Sequence, residues 1–224
     1  PDAIDWMLDR SLSTLGLETV DLYYVHDPEE QLAARSRAEV YDRLEAVFRR
    51  LEERVAAGDI RGYGVSSREA FRVPRNHDRY LSIAEIAERS LAASEAAGTD
   101  EPGLRAVQLP FNALAGDAFT VWAQDSPDGE WNALGAAEKL DLAVFACSPL
   151  AGGRVIGTMP EDVAAWFDGD TTAQRAINFA RSAPGVVCAL VGMRSVDHAD
   201  ENVRTGRFGD MGPEAFSVVF EADR

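Results

Sequence analysis

The sequence predicts an α/β fold with a parallel sheet of about five βα units, either an open doubly wound sheet or part of a TIM-type (β/α) barrel. Three observations predict it. Short apolar runs of strand length alternate with stretches of helical periodicity along the chain, and such alternation builds a parallel sheet with helices outside it. The short runs are almost continuously apolar, as strands buried on both faces are. Polar and glycine-rich residues follow the runs directly, where both parallel architectures place their ligands. Alternation alone leaves an open doubly wound sheet as the rival, although the Rossmann fingerprint G-x-G-x-x-G is absent.

The elements follow in order. Residues 3–15 read as a helix: Asp2 can cap it, Ile4, Met7, Leu8, Leu12 and Leu15 share a face, and Gly16 stops it. Residues 21–26 form an apolar and aromatic strand. Residues 38–57 carry Val40, Leu44, Val47, Phe48, Leu51 and Val55 at helical spacing and stop at Gly58. A short strand with glycines at 60–66, a helix at 82–97 and a strand at 104–109 come next. Residues 110–130 read as a long loop. A short helix at 131–140 leads into a strand at 142–147. After a Gly-rich loop, a helix at 172–182, a strand at 186–191 and a last helix at 196–205 complete the pattern. The five units follow an orphan helix and the chain opens on Pro1 rather than Met, so the leading units of the barrel are expected to be missing. No solenoid repeat or low-complexity linker divides the chain, and residues 1–224 are expected to form a single domain.

Charge narrows the partners. Asp and Glu number 38 against 22 Lys plus Arg, a net charge of −16, and Lys139 is the sole lysine. Such a surface repels nucleic-acid backbones and anionic membranes. Two origins stand open: adaptation to a high-salt cytoplasm, where self-repulsion is screened, or coding bias that exchanges lysine for arginine. No stretch reaches the roughly 20 apolar residues of a membrane helix, and no basic segment precedes an apolar run as in a secretory signal. Cys147 and Cys188 sit in apolar runs and read as small buried thiols, without zinc or disulfide spacing. A cytoplasmic protein is expected. Carboxylates are so abundant that no pair stands out, and most are expected on a solvated face.

Chemistry is sought at the strand ends. His26 closes the run Tyr23-Tyr24-Val25-His26, where an imidazole can hydrogen-bond a substrate oxygen or satisfy a local carbonyl. Ser66 and Ser67 can hold an amide or a ribose, or cap the next segment. Gln108 lies inside an apolar strand and needs a partner if buried; a planar amide ligand or a neighbouring side chain would serve. Ser148 to Gly153 is a small, glycine-rich turn whose backbone can approach a phosphate. The three histidines, His26, His77 and His198, are too scattered for a metal set, and neither H-E-x-x-H nor G-x-S-x-G occurs.

Taken together, these strand ends resemble the aldo-keto reductase family. The resemblance rests on five ordered motifs spanning essentially the whole chain. They are the run from Ser11 to His26, Ala57 to Ser66, Val107-Gln108-Leu109-Pro110-Phe111-Asn112, Ser148-Pro149-Leu150, and Val191-Gly192-Met193-Arg194-Ser195 with Glu201-Asn202 after it. The resemblance implies an incomplete TIM-type (β/α) barrel, the C-terminal part of an eight-unit barrel, that binds NADP(H) or NAD(H) across its carboxyl face and passes hydride to an aldehyde, ketone or sugar carbonyl. Of the family's aspartate, tyrosine, lysine and histidine, only the histidine carries over, to His26; the other three belong to strands before this segment. Ser66 and Gln108 match residues that hold the carboxamide. Ser148, Leu150 and Gly152 match the pyrophosphate loop, and Gly192, Arg194, Ser195 and Asn202 match the adenosine end. Ser67 stands where an asparagine is usual, Cys147 where a stacking tyrosine is common, and His198 where an arginine often grips the 2′-phosphate.

The expected function is therefore NAD(P)H-dependent reduction of a small carbonyl compound, with this chain alone inactive. The alternative is a non-catalytic nucleotide-binding or interaction module with a decayed barrel. Open strand edges also permit self-association.

Overall fold

A computed structural model describes residues 2–99 and 101–221. Helix α1 (Asp2–Leu15) buries Leu8 fully and sets Ile4 and Leu12 against the core. The cap expected of Asp2 falls on a side chain outside the described residues. Strand β1 (Tyr23–His26) leads to α2 (Arg37–Ala56), whose Ser36 and Glu39 form a reciprocal capping box. Val40, Leu44, Phe48 and Leu51 on α2 are buried, as the spacing predicts. Then come β2 (Tyr63–Ser66), α3 (Ile83–Ala97, capped by Ser82) and β3 (Leu104–Pro110).

The segment expected to be a long loop is more ordered than its sequence suggests. It holds a helical turn, α4 (Asp117–Thr120), and an antiparallel hairpin of β4 (Trp122–Ser126) and β5 (Gly129–Asn132). What secures the hairpin is remote in sequence. Gln124 is fully buried, its Oε1 accepting from Ile83 N at 2.9 Å and its Nε2 donating to Phe71 O and Leu81 O at 3.1 and 3.2 Å. The Tyr80 hydroxyl donates to Ala123 O at 2.7 Å. Helix α5 (Ala133–Lys139) starts later than expected, because Trp131 and Asn132 belong to the hairpin and Asn132 caps the helix.

After β6 (Ala143–Cys147) come two unanticipated short helices, α6 (Arg154–Thr158) and α7 (Glu161–Ala165), then α8 (Thr172–Ser182), β7 (Val186–Leu190) and α9 (Val196–Arg204). A further helix, α10 (Pro213–Glu221), was also not expected. Its Phe216 is fully buried among Phe111, Phe119, Phe167 and Phe179, with ring centroids 5.4–6.3 Å away. The rings come from separate segments, so only folding reveals the cluster.

The sheet order is β1-β2-β3-β6-β7, parallel throughout. A doubly wound sheet would reverse its strand order at a switch point. Here the order follows the chain, which is an arc of a barrel. Right-handed crossovers then place the intervening helices on one side. Tyr63, Val65, Val107, Leu109, Val144 and Ala146 are wholly buried on that outer side, in one cluster with the apolar faces of α2 and α3.

The register puts Tyr24, Gly64 and Ala106 side by side on the inner face, and one step along His26, Ser66, Gln108, Phe145 and Cys188. A Cβ on Gly64 would lie 2.6 Å from Tyr24 Cε1 and 2.7 Å from Ala106 O. Glycine there lets the Tyr24 ring cross β2 and meet Phe145 edge-on at 6.2 Å. On this inner face Tyr24, Gln108, Phe145, Cys147 and Cys188 are only partly buried. Cys147 and Cys188 are free thiols of intermediate burial rather than core thiols.

A few carboxylates stand apart from the solvated majority: Glu52 of α2 is fully buried, its Oε1 accepting from the Tyr63 hydroxyl and Gly103 N, each at 2.7 Å. Ser90 of α3 completes the cluster, 2.8 Å from the Tyr63 oxygen. Replacing Glu52 by Ala strands these donors in the core. The expected cost is about 2–4 kcal/mol, read as a lower urea midpoint, with Gln retaining most of the stability. A loss under about 0.5 kcal/mol, in the range of ordinary surface substitutions, would contradict this account.

Candidate active site

Parallel strands all end on the same rim, so this sheet collects its C-terminal side chains along one edge. His26, Ser66 and Gln108 are direct register partners on β1, β2 and β3. Cys147 ends β6 opposite Pro110. The His26 ring is 67% exposed, its Nδ1 is 3.3 Å from Ser66 Oγ, and its Nε2 is 3.2 Å from Asp27 Oδ2. Among the described residues the ring's polar neighbours are a hydroxyl and a carboxylate.

Asp27 escaped the sequence reading. It takes a left-handed conformation (φ 46°, ψ 54°) and buries its carboxylate to 6% exposure. Aspartate tolerates that region better than most side chains. Arg68 closes on it: Nε and Nη2 each lie 2.6 Å from Oδ2, and the Arg68 amide donates to Oδ1 at 3.1 Å. Glu29, also buried, accepts at Oε1 from the Ser67 hydroxyl at 2.6 Å and from the amides of Arg68 and Glu69 at 3.1 and 3.2 Å. Two acids after β1 thus clamp the turn after β2. The legible signal was the acid-rich Asp27-Pro28-Glu29-Glu30 directly after a strand-end histidine.

Ser67 proves to be a capping residue. Its hydroxyl accepts from Glu69 N and Ala70 N and donates to Glu29, which commits it to the turn. Gln108 is half-buried beside Cys147. Burial pushes the Cys147 thiol up, against the opposing pull of hydrogen bonds with the Ser148 and Gln108 side chains.

The loop after β6 is strained in a useful way. Ser148 (φ 56°) and Ala151 (φ 47°) are left-handed without being glycine, and Gly152 and Gly153 follow at φ 69° and 93°. Leu150 (φ −95°, ψ 1°) precedes left-handed Ala151, a right-then-left pair of the kind found in anion nests, and here the Ala151 amide donates to Ser148 O and that of Gly153 to Leu150 O, each at 2.8 Å. Asn112, another residue the sequence reading left without a role, donates its Nδ2 to Ser148 O at 3.0 Å and braces this loop.

The last group lies beyond β7. Gly192, Arg194 and Ser195 are exposed, and a Cβ on Gly192 would meet nothing within 4 Å. The Ser195 hydroxyl accepts from His198 N at 3.2 Å and caps α9. Asn202, buried, lines a cavity of about 290 Å³ with Ile177, Arg181, Val187 and Ala189. Four strand spacings of about 4.8 Å separate β1 from β7, so the His26 and Arg194 ends lie roughly 19 Å apart along the rim.

A sequence model of the aldo/keto reductase family matches residues 1–222. The chain belongs to the aldo/keto reductase family. No curated protein matches it significantly. Among solved structures, it is similar to the holo form of the aldo-keto reductase AKR11C1 from Bacillus halodurans. That match has 17% identity and a TM-score of 0.62, and covers 97% of this chain and 66% of the other. It is also similar to a thermostable aldo-keto reductase, Tm1743, solved with the inhibitor epalrestat. There identity is 20% and the TM-score 0.62, over 98% of this chain and 66% of the other. The chain thus spans just under two thirds of the length of these aldo-keto reductases, and the likeness supports the barrel fold. No described helix is long and apolar enough to cross a membrane.

One titration tests the inner face. Burial, with a smaller contribution from Cys188, pushes the Tyr24 phenol up to about 12, and its hydroxyl is buried without a hydrogen-bond partner. A raised folded value means the stabilisation is whole below the unfolded value near 10 and is lost as pH climbs through about 12. Tyr41 of α2, also raised to about 12 by burial, acts in the same window. The urea midpoint should therefore decline above about pH 10, and Tyr24→Phe should reduce the decline. Full phenolate absorbance near pH 10 in a still-folded chain would refute the buried setting.

Proposed function

We propose that these residues form the cofactor-binding side of an NAD(P)H-dependent carbonyl reductase whose substrate is an aldehyde, ketone or sugar carbonyl. One observation carries the reading: His26, Ser66 and Gln108 are register partners on three successive strands, and Cys147 ends the fourth opposite Pro110, in a chain of this family. The residues present fit the cofactor. An amide and a hydroxyl, Gln108 and Ser66, are matched to a carboxamide, which needs both a donor and an acceptor. The left-handed loop holding Ser148, Leu150 and Gly152 suits a pyrophosphate. Gly192, Arg194, Ser195 and Asn202 take the adenosine end, beside the cavity below α9.

When bound, the cofactor supplies the hydride. His26 orients the carbonyl oxygen by hydrogen bond, and Cys147 offers a half-buried, uncharged floor beside Gln108. Arg194 is the cation placed for a 2′-phosphate, while His198 in the position of a frequent arginine leaves both NADP(H) and NAD(H) as cofactors. The proton for the carbonyl oxygen comes, in this family, from a tyrosine on strands preceding those described, so these five units are read as one domain that binds cofactor without turning over. A small-molecule substrate and a reducing cytoplasm complete the reading.

NADPH and NADH titrated into the chain, followed by nicotinamide fluorescence, test it. Both should bind, and Gln108→Ala should weaken binding about tenfold, the loss of roughly 1.4 kcal/mol of amide contacts. Arg194→Ala should weaken NADPH more than NADH. Absence of binding for both cofactors would sink the reading. Aldehyde-dependent loss of nicotinamide absorbance would instead reveal a proton donor within these residues.

A further inference from the structure

We propose that Asp27 is a positioning residue that holds the His26 imidazole in its Nε2–H tautomer, with Arg68 fixing the carboxylate that does so. The inference builds on the reading of His26 as the group that meets the carbonyl. It names how this chain controls that group.

Asp27 has little freedom. Its amide donates to Ser66 O at 2.7 Å, continuing the β1–β2 ladder one residue past the strand. Its left-handed backbone turns the carboxylate inward, and Arg68 grips both oxygens, through its guanidinium on Oδ2 and its amide on Oδ1. The Arg68 turn is itself held by buried Glu29. The exposed imidazole is thus the adjustable partner, and the carboxylate is the fixed one.

The chemistry of the two neighbours then assigns the proton. An ionised carboxylate only accepts, so the nitrogen facing Asp27 Oδ2 must carry hydrogen, and that nitrogen is Nε2. A neutral ring has one N–H, which leaves Nδ1 as the acceptor, 3.3 Å from a Ser66 hydroxyl able to donate. Arg68 pairs with Asp27, so the carboxylate acts on the ring chiefly as an acceptor that sets tautomer and orientation. A substrate oxygen that takes the Nε2–H bond must share it with Asp27 or displace it.

The test is ¹⁵N NMR of the histidine rings at about pH 8, above the ordinary histidine range. The chain has three histidines, so His77→Gln and His198→Gln variants assign His26 directly. The expected result is His26 in the Nε2–H form in the unaltered chain. Asp27→Ala should give mixed tautomers, Arg68→Ala a smaller change, and the other two rings should stay unmoved. The Arg68 variant and the unaltered chain keep the question decidable if Asp27→Ala fails to fold. An Nδ1–H ring, a doubly protonated ring at that pH, or a His26 tautomer indifferent to both substitutions in folded protein would overturn the proposal. Cofactor titration on the same samples separates the outcomes, since lost NADPH binding with an intact tautomer counts against the proposed function alone.

Discussion

A parallel strand cannot turn back on its neighbour; the chain has to return over one face of the sheet before the next strand begins. That constraint organises this molecule. Each return is right-handed, so the helices gather outside, where Val65, Val107 and Val144 find apolar cover. The inner face is left to side chains of mixed character, from Tyr24 and Phe145 to Gln108 and Cys147. All the C-terminal strand ends then fall on one rim, and a site assembled from residues far apart in sequence becomes possible.

Within an acidic chain, the carboxylates that matter are the few removed from water. Burying a carboxylate is costly unless its oxygens are engaged. Glu52 meets this at one oxygen: Oε1 accepts from the Tyr63 hydroxyl and the Gly103 amide and so ties α2 to the start of β3, while Oε2 is buried without a partner among the described residues. Asp27 engages both oxygens with Arg68, and Glu29 engages Oε1 with Ser67 and successive amides while its Oε2 has no partner among the described residues; together they tie the first strand end to the second. The same oxygens that stabilise the rim also set the surroundings of His26. Stability and site geometry are coupled there through one pair of loops.

The strands and principal helices were legible because each depends on local pattern. Residues of α2 repeat at helical spacing and bury the face that the repeat marks. His26, Ser66 and Gln108 were legible because a strand end is a position the pattern itself defines. The β4–β5 hairpin was not, since its anchor is a buried Gln124 answered by Ile83, Phe71 and Leu81. Helix α10 depends on Phe216 entering a cluster of rings contributed by distant segments. Asp27 and Glu29 looked like two more members of an abundant class.

The sequence by itself determined the alternation of strand and helix, the five units, the family and the strand-end positions, because periodicity and short motifs are properties of neighbours along the chain. Only the tertiary structure decided that the strands run in chain order as an arc rather than reversing. The same holds for which acids are buried, for the hairpin that packs at the N-terminus of α3, and for the imidazole held between Ser66 and Asp27. Those outcomes depend on which surfaces meet, and desolvation and hydrogen-bond satisfaction act only once distant segments have been brought together.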